Sequence, residues 1–127
     1  MTPFGARLRE LRQARGIQLK DMAKGLGVSA AYLSALEHGH RGRPNRAFVH
    51  RICAYLNIIW DEAEELLALA QLSHPRITVD TAGLSPEATE LANRLADRIE
   101  KLDAETVRRM LELLEGSKPS RQGGESE

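Results

Sequence analysis

The chain has 127 residues and a formal net charge of zero, with 42% hydrophobic, 28% charged and 4% aromatic residues and one cysteine. That length supports one buried core with an appendage, and an apolar set dominated by Leu and Ala favours helices over sheets. The lone Cys53 excludes an internal disulfide framework and a cysteine-based zinc site, and no stretch approaches the roughly 18 apolar residues of a membrane span.

The zero total conceals opposed halves. Through Trp60 the basic residues are Arg7, Arg9, Arg12, Arg15, Lys20, Lys24, Arg41, Arg43, Arg46 and Arg51, against Glu10, Asp21 and Glu37, a balance of +7. The remainder carries eight basic and fifteen acidic residues, a balance of −7. A cationic half tethered to an anionic half suits a polyanion-binding module joined to a segment kept off the polyanion. Chance segregation of solvated charge is the plainer alternative. Residues 1–15 hold four arginines and no apolar run, which argues against a signal peptide and leads to the expectation of a cytoplasmic protein.

In chain order, Phe4, Leu8 and Leu11 recur at helical spacing and predict a first amphipathic helix with an almost purely cationic polar face, closed by Gly16. Leu19, Met22, Ala23 and Leu26 predict a short second helix ending at Gly27. Ser29 is a good N-cap for a third helix from Ala30 to about His38, with Leu33 and Leu36 inward and Gly39 as its stop. The loop from Gly39 to Pro44 is basic and irregular, because two glycines and a proline forbid regular structure there. A fourth helix from Asn45 to Leu56 is expected to bury Phe48, Val49, Ile52, Cys53 and Leu56. Ile58, Ile59 and Trp60 are expected to fill a corner, and Asp61 to cap a fifth helix whose apolar stripe is Ala63, Leu66, Leu67 and Ala70.

The helical pattern breaks from Ser73 to Gly83, where Pro75 and the β-branched residues read as an extended connector. Ser85 followed by Pro86 is a helix start, after which Leu84, Ala88, Leu91, Leu95, Ile99 and Leu102 recur at spacings of three and four. A break near Leu102 and Asp103 is favoured over one continuous helix, and the second piece carries Val107, Met110, Leu111 and Leu114. The expected organisation is all-α: a five-helix domain over 1–72, a linker over 73–83, a helical arm over 84–116 and a disordered tail over 117–127 rich in Gly, Ser, Pro and charge.

From Gln18 to Glu37 the spacing is that of a helix-turn-helix: Ala23 is small where two helices cross, Gly27 sits four residues later at the turn, and Val28, Leu33 and Leu36 lock the second helix. The wording adds to the spacing: Leu8-Arg9-Glu10-Leu11-Arg12 to Arg15-Gly16, then Leu26-Gly27-Val28-Ser29, Tyr32-Leu33-Ser34, Leu36-Glu37 and Gly39. Over about residues 5 to 70 the chain resembles the XRE family, the helix-turn-helix class of the lambdoid phage repressors and Cro. The resemblance implies a lambda-repressor-like domain that binds double-stranded operator DNA as a homodimer, with the third helix in the major groove.

Carried over by position, the resemblance makes Ala30, Ala31 and Ala35 the base-facing sites, with Ser34 beside them. Ser29 and Tyr32 match positions that touch phosphate, and Arg41 and Arg43 match a loop that lies on the backbone or reaches a minor groove. Gln18, Leu19, His38, His40, Asn45 and Arg46 complete the expected contact set. At the start of the second helix Gln18-Leu19 replace the family's usual Thr or Ser followed by Gln, which removes a hydroxyl cap and a phosphate-binding amide. Alanines also lack the bidentate hydrogen bonds that tell guanine from adenine, so readout is expected to lean on thymine-methyl packing, on Ser34 and on groove shape sensed by the loop arginines.

The apolar stripe of the arm, with Leu84, Leu91, Leu95, Ile99, Leu102, Val107, Met110 and Leu114, is too long to bury on a globule already completed by its own fifth helix. Pairing with a second copy is the expected use. Folding back on the globule and binding a different protein, as an antitoxin or co-regulator would, are the alternatives. His38, His40, His50 and His74 have no metal-ligand spacing, and the run Asp61-Glu62-Ala63-Glu64-Glu65 complements a helix N-terminus. No cofactor, metal or membrane partner is expected, and no phosphate loop or nucleophile-base pair suggests an enzyme.

Overall fold

The computed structural model describes residues 1–41 and 44–117. The expectations for Arg43 and for the tail from Lys118 onward lie outside the described residues. The described chain is all-α and divides into two units, Met1–Thr78 and a second from Val79 onward.

The first unit contains five helices, α1 (Pro3–Ala14), α2 (Leu19–Leu26), α3 (Ala30–Glu37), α4 (Arg46–Leu56) and α5 (Trp60–Gln71). Short polar side chains start three of them by accepting from an orphan amide of the first turn. Thr2 Oγ1 accepts from Gly5 N at 3.0 Å, Ser29 Oγ from Tyr32 N at 3.0 Å, and Asn45 Oδ1 from Phe48 N at 2.8 Å. The helical periodicity then converges on one core, in which Phe4, Leu8, Met22, Leu33, Val49, Ile52 and Leu66 are fully buried. Cys53 is buried among them, and burial pushes its thiol pKa up.

The corner before α5 differs from expectation. Ile58 is buried, but Ile59 is exposed and Trp60 is 79% exposed. Asp61 is not the cap either: Ile59 occupies the N-cap position and Trp60 opens the helix, with Asp61 and Glu62 in its first turn. The chain turns through a left-handed residue at Asn57 (φ 58°) and another at Trp60 (φ 54°), so only one of the three apolar side chains reaches the core. The acidic residues then favour the amino end of α5 by charge rather than by a capping hydrogen bond.

Ser73, expected to begin the connector, belongs to the globule. It is buried, its hydroxyl donates to Leu69 O at 2.6 Å, and it accepts from Phe4 N at 2.8 Å. One hydroxyl thus satisfies an amide at the start of α1 and a carbonyl in the last turn of α5.

The second unit holds α6 (Pro86–Arg98), one turn of 3₁₀ helix (Ile99–Lys101) and α7 (Ala104–Gly116). Ser85 Oγ accepts from Ala88 N at 3.1 Å and Asp103 Oδ1 from Thr106 N at 2.8 Å, so α7 has its own cap. The hydrogen bond from Thr106 holds the Asp103 carboxyl below its usual range. The end of the connector forms a turn, with Leu84 N donating to Thr81 O at 3.0 Å and Thr89 Oγ1 to Thr81 Oγ1 at 2.9 Å. Neither helix buries a residue. Leu84, Leu91, Ile99, Val107, Leu111, Leu113 and Leu114 are exposed, while Leu95, Leu102 and Met110 are half-buried.

Candidate nucleic-acid interface

The turn between α2 and α3 is made by Gly27 in the left-handed region (φ 76°), which lets Gly27 N reach Lys24 O at 3.1 Å and Val28 N reach Ala23 O at 3.0 Å. A residue with a Cβ pays strain in that conformation, so glycine suits the turn. Ala23 is buried, consistent with two helices crossing closely there. Leu33 and Leu36 anchor the inner face of α3, and on its outer face Ala30, Ala31 and His38 are exposed while Ser34 and Ala35 are half-buried.

The carboxyl end of α3 is held by α1 in two ways. Gly5 lies so close that a Cβ there would stand 2.5 Å from Leu36 O and from Glu37 O, a contact no side chain could accommodate without moving the helices apart. Glu37 is 1% exposed and receives a two-pronged bond from Arg12, Nε to Oε2 at 2.7 Å and Nη2 to Oε1 at 3.1 Å. The same guanidinium donates Nη1 to Ile17 O at 2.9 Å. Planar guanidinium and carboxylate match in this geometry, and the hydrogen bond to Glu37 raises the Arg12 pKa further. The clamp thus ties α1, the α1–α2 loop and the end of α3 together.

The polar face of α1 is therefore less available to a polyanion than its sequence suggests. Arg12 is consumed by Glu37, and Arg7 bonds Glu10 with Glu62 and Glu65 at 3.8 Å. Arg51 donates to Leu26 O at the end of α2 and lies over the Phe48 ring, 5.3 Å from its centroid. Sequence reasoning missed all three roles, because the partners that engage these arginines across the fold, Glu37, Glu62, Glu65 and Leu26, are distant along the chain. By contrast Lys20, Lys24, Arg41 and Arg46 are exposed and form no ion pair among the described residues.

The other expected contact residues divide by what they touch. Gln18 sits at the N-cap position of α2 without a capping bond from its side chain, and Leu19 is half-buried against the core. Ser29 and Asn45 are caps, so one acceptor of each is already engaged. Tyr32 is half-buried, edge-on to Phe48 with centroids 5.9 Å apart, and the Arg41 guanidinium lies over its ring at 5.5 Å. His38 Nδ1 bonds Ser34 O at 2.8 Å, and the His40 ring stacks on it at 6.4 Å. The structure thus brings Ser34, His38, His40, Tyr32 and Arg41 together at the end of α3.

A tight turn made by Gly27 between two short helices, an outward face of small residues on the second and cations without ion-pair partners among the described residues define a helix-turn-helix protein. Residues 3–73 match the family described as the helix-turn-helix domain; the chain belongs to that family, and it is of the XRE type. It is similar to RghRB, an uncharacterized HTH-type transcriptional regulator of Bacillus subtilis, at 40% identity over 70 residues, covering 55% of this chain and 48% of the relative. It is similar to the HTH-type transcriptional repressor RghR of the same organism at 38% over 61 residues, covering 48% and 45%. Similarity to the HTH-type transcriptional regulator SinR of Bacillus subtilis is 30% over 55 residues, covering 43% and 50%. The chain spans about half the length of the curated relatives it matches. Among the described residues no helix is long and apolar enough to cross a membrane.

Proposed function

We propose that the chain is a transcriptional regulator, acting as a repressor, that binds a pseudo-palindromic DNA operator as a homodimer with α3 in the major groove. The observation that carries this reading is the presentation of α3. It is capped by Ser29, anchored by Leu33 and Leu36, clamped at its end by Arg12–Glu37, and exposes a face of alanines with Ser34 between them. A narrow, small-residue face lets a helix lie deep in the groove and pack methyl groups against thymine, while Lys20, Lys24, Arg41 and Arg46 offer charge to phosphates. Specificity then rests on Ser34, on the loop residues and on groove shape rather than on bidentate contacts.

Two copies are needed because one short helix makes too few base contacts to rise far above non-specific phosphate attraction. The exposed leucines of α6 and α7 supply the reason to pair: each leaves apolar area in water until another surface covers it. The test is a binding selection on random duplexes, followed by sedimentation of the full chain with and without the recovered site. A two-fold symmetric site, a dimer, and affinity falling steeply with salt are expected. A dimer abolished by Leu91→Asp, with DNA affinity lost in parallel, supports pairing through the arm. A monomer that captures an unrelated protein through the arm would favour the co-regulator reading.

A further inference from the structure

We propose that Tyr32 serves DNA binding as a positioning residue, its ring holding Arg41 at the end of α3 so that the guanidinium meets a phosphate already in place. The inference rests on the proposed DNA-binding role and changes how Tyr32 takes part in it: through the arginine, not through its own hydroxyl. The Arg41 guanidinium lies over the Tyr32 ring at 5.5 Å, and Tyr32 is itself fixed edge-on against Phe48 in α4. No described carboxylate pairs with Arg41, so its charge is available. A ring contact takes no carboxylate to hold the guanidinium, so N–H donors remain to grip a phosphate, which an ion pair with a carboxylate would prevent.

The preceding loop residue is held as well. His38 donates Nδ1–H to Ser34 O at 2.8 Å, which fixes its ring, and the His40 ring stacks on it with planes 21° apart. Tyr32 of α3 and His38 at its C-cap therefore restrain the side chains of two consecutive residues, His40 and Arg41. An arginine ordered before binding loses less freedom when it meets the phosphate, and affinity gains accordingly.

Two measurements on the full chain test this. The first needs no DNA: the Arg41 side-chain protons should resonate upfield through the ring current of Tyr32 and return to ordinary positions in Tyr32→Leu. Ordinary positions in the wild type overturn the proposal. The second measures affinity for a mixed-sequence duplex of about 40 base pairs across a salt series, long enough for two half-sites a helical turn apart. Arg41→Ala should weaken binding and reduce the salt slope by about 1. Tyr32→Leu should weaken it about three- to five-fold, Tyr32→Phe should leave it unchanged, and Tyr32→Leu should add nothing once Arg41 is alanine. Additive losses, or equal losses for Phe and Leu, overturn the positioning role while leaving DNA binding intact. Should Tyr32→Leu fail to fold, the wild-type resonances and the Tyr32→Phe affinity still decide. A wild-type chain without affinity for the duplex fails the DNA-binding reading itself, even where the Arg41 resonances are shifted.

Discussion

Leu33 in α3 is fully buried, whereas Leu113 in α7 is 73% exposed, although both stand on capped helices of one chain. The first unit closes its core from five helices that share one apolar interior, and its stability is a property of the single chain. The second unit has two capped helices and, among its described residues, no buried one, so the apolar stripe of α6 and α7 has yet to be used. Regular local structure requires only caps and periodicity, while a core requires that several stripes converge.

The largest expected effect falls on the clamp of the first unit. Arg12→Ala leaves Glu37 buried without its partner and should cost about 3–5 kcal/mol in chemical denaturation, whereas replacing both residues with methionine should recover much of that loss. Recovery should not extend to DNA affinity if the clamp also orients α3. Leu33→Ala should cost about 2–5 kcal/mol and lower the melting temperature of the first unit. The same change at Leu113 should stay within about 0.5 kcal/mol when measured on the single chain, so a comparable loss there would break the contrast between the units. Gly5→Ala should cost about 1–3 kcal/mol by forcing α1 away from Leu36 O and Glu37 O, with a larger loss of duplex affinity than its stability effect explains.

The smallest effect lies in the arm. Asp103 caps α7 through Thr106 N, and hydrogen bonding to Thr106, from its side chain first and its amide second, lowers the carboxyl pKa below the usual 3.8. A lowered value in the folded state means that the contribution is present above the ordinary pKa and is lost as pH falls through the lowered one. Helicity of α7, followed by NMR from neutral pH down to about pH 2, should therefore fade below the ordinary aspartate range. Asp103→Asn should remove the pH dependence while keeping the cap.

Much of the candidate site was legible because its signals are local. Ser29 before an apolar pair, Gly27 four residues beyond Ala23, and a glycine-proline loop each act within a few positions, and the structure places α2, α3 and the caps accordingly. The resemblance to the XRE family named Ala30, Ala31 and Ala35 as expected base-facing positions; in the structure the first two are exposed and the third is half-buried. What escaped was pairing at a distance. Nothing local distinguishes Arg12, bound to Glu37 twenty-five residues away, from the arginines beside it. Likewise Arg51 caps α2 across the same separation, and Ser73 joins α1 to α5 across sixty-nine. Trp60 was misjudged because aromatic character suggests burial, while the left-handed turn that begins α5 directs it outward.

Periodicity, caps and small residues at the crossing were enough to determine, from the sequence alone, an all-α chain with a helix-turn-helix and a two-piece helical arm. These properties depend on backbone hydrogen bonding and side-chain spacing within a few turns. Tertiary structure alone decided which cations are spent inside the protein and which remain for a partner, and which leucines are covered. Charge and burial are settled by what lies nearby in space, and that is fixed only when distant segments meet.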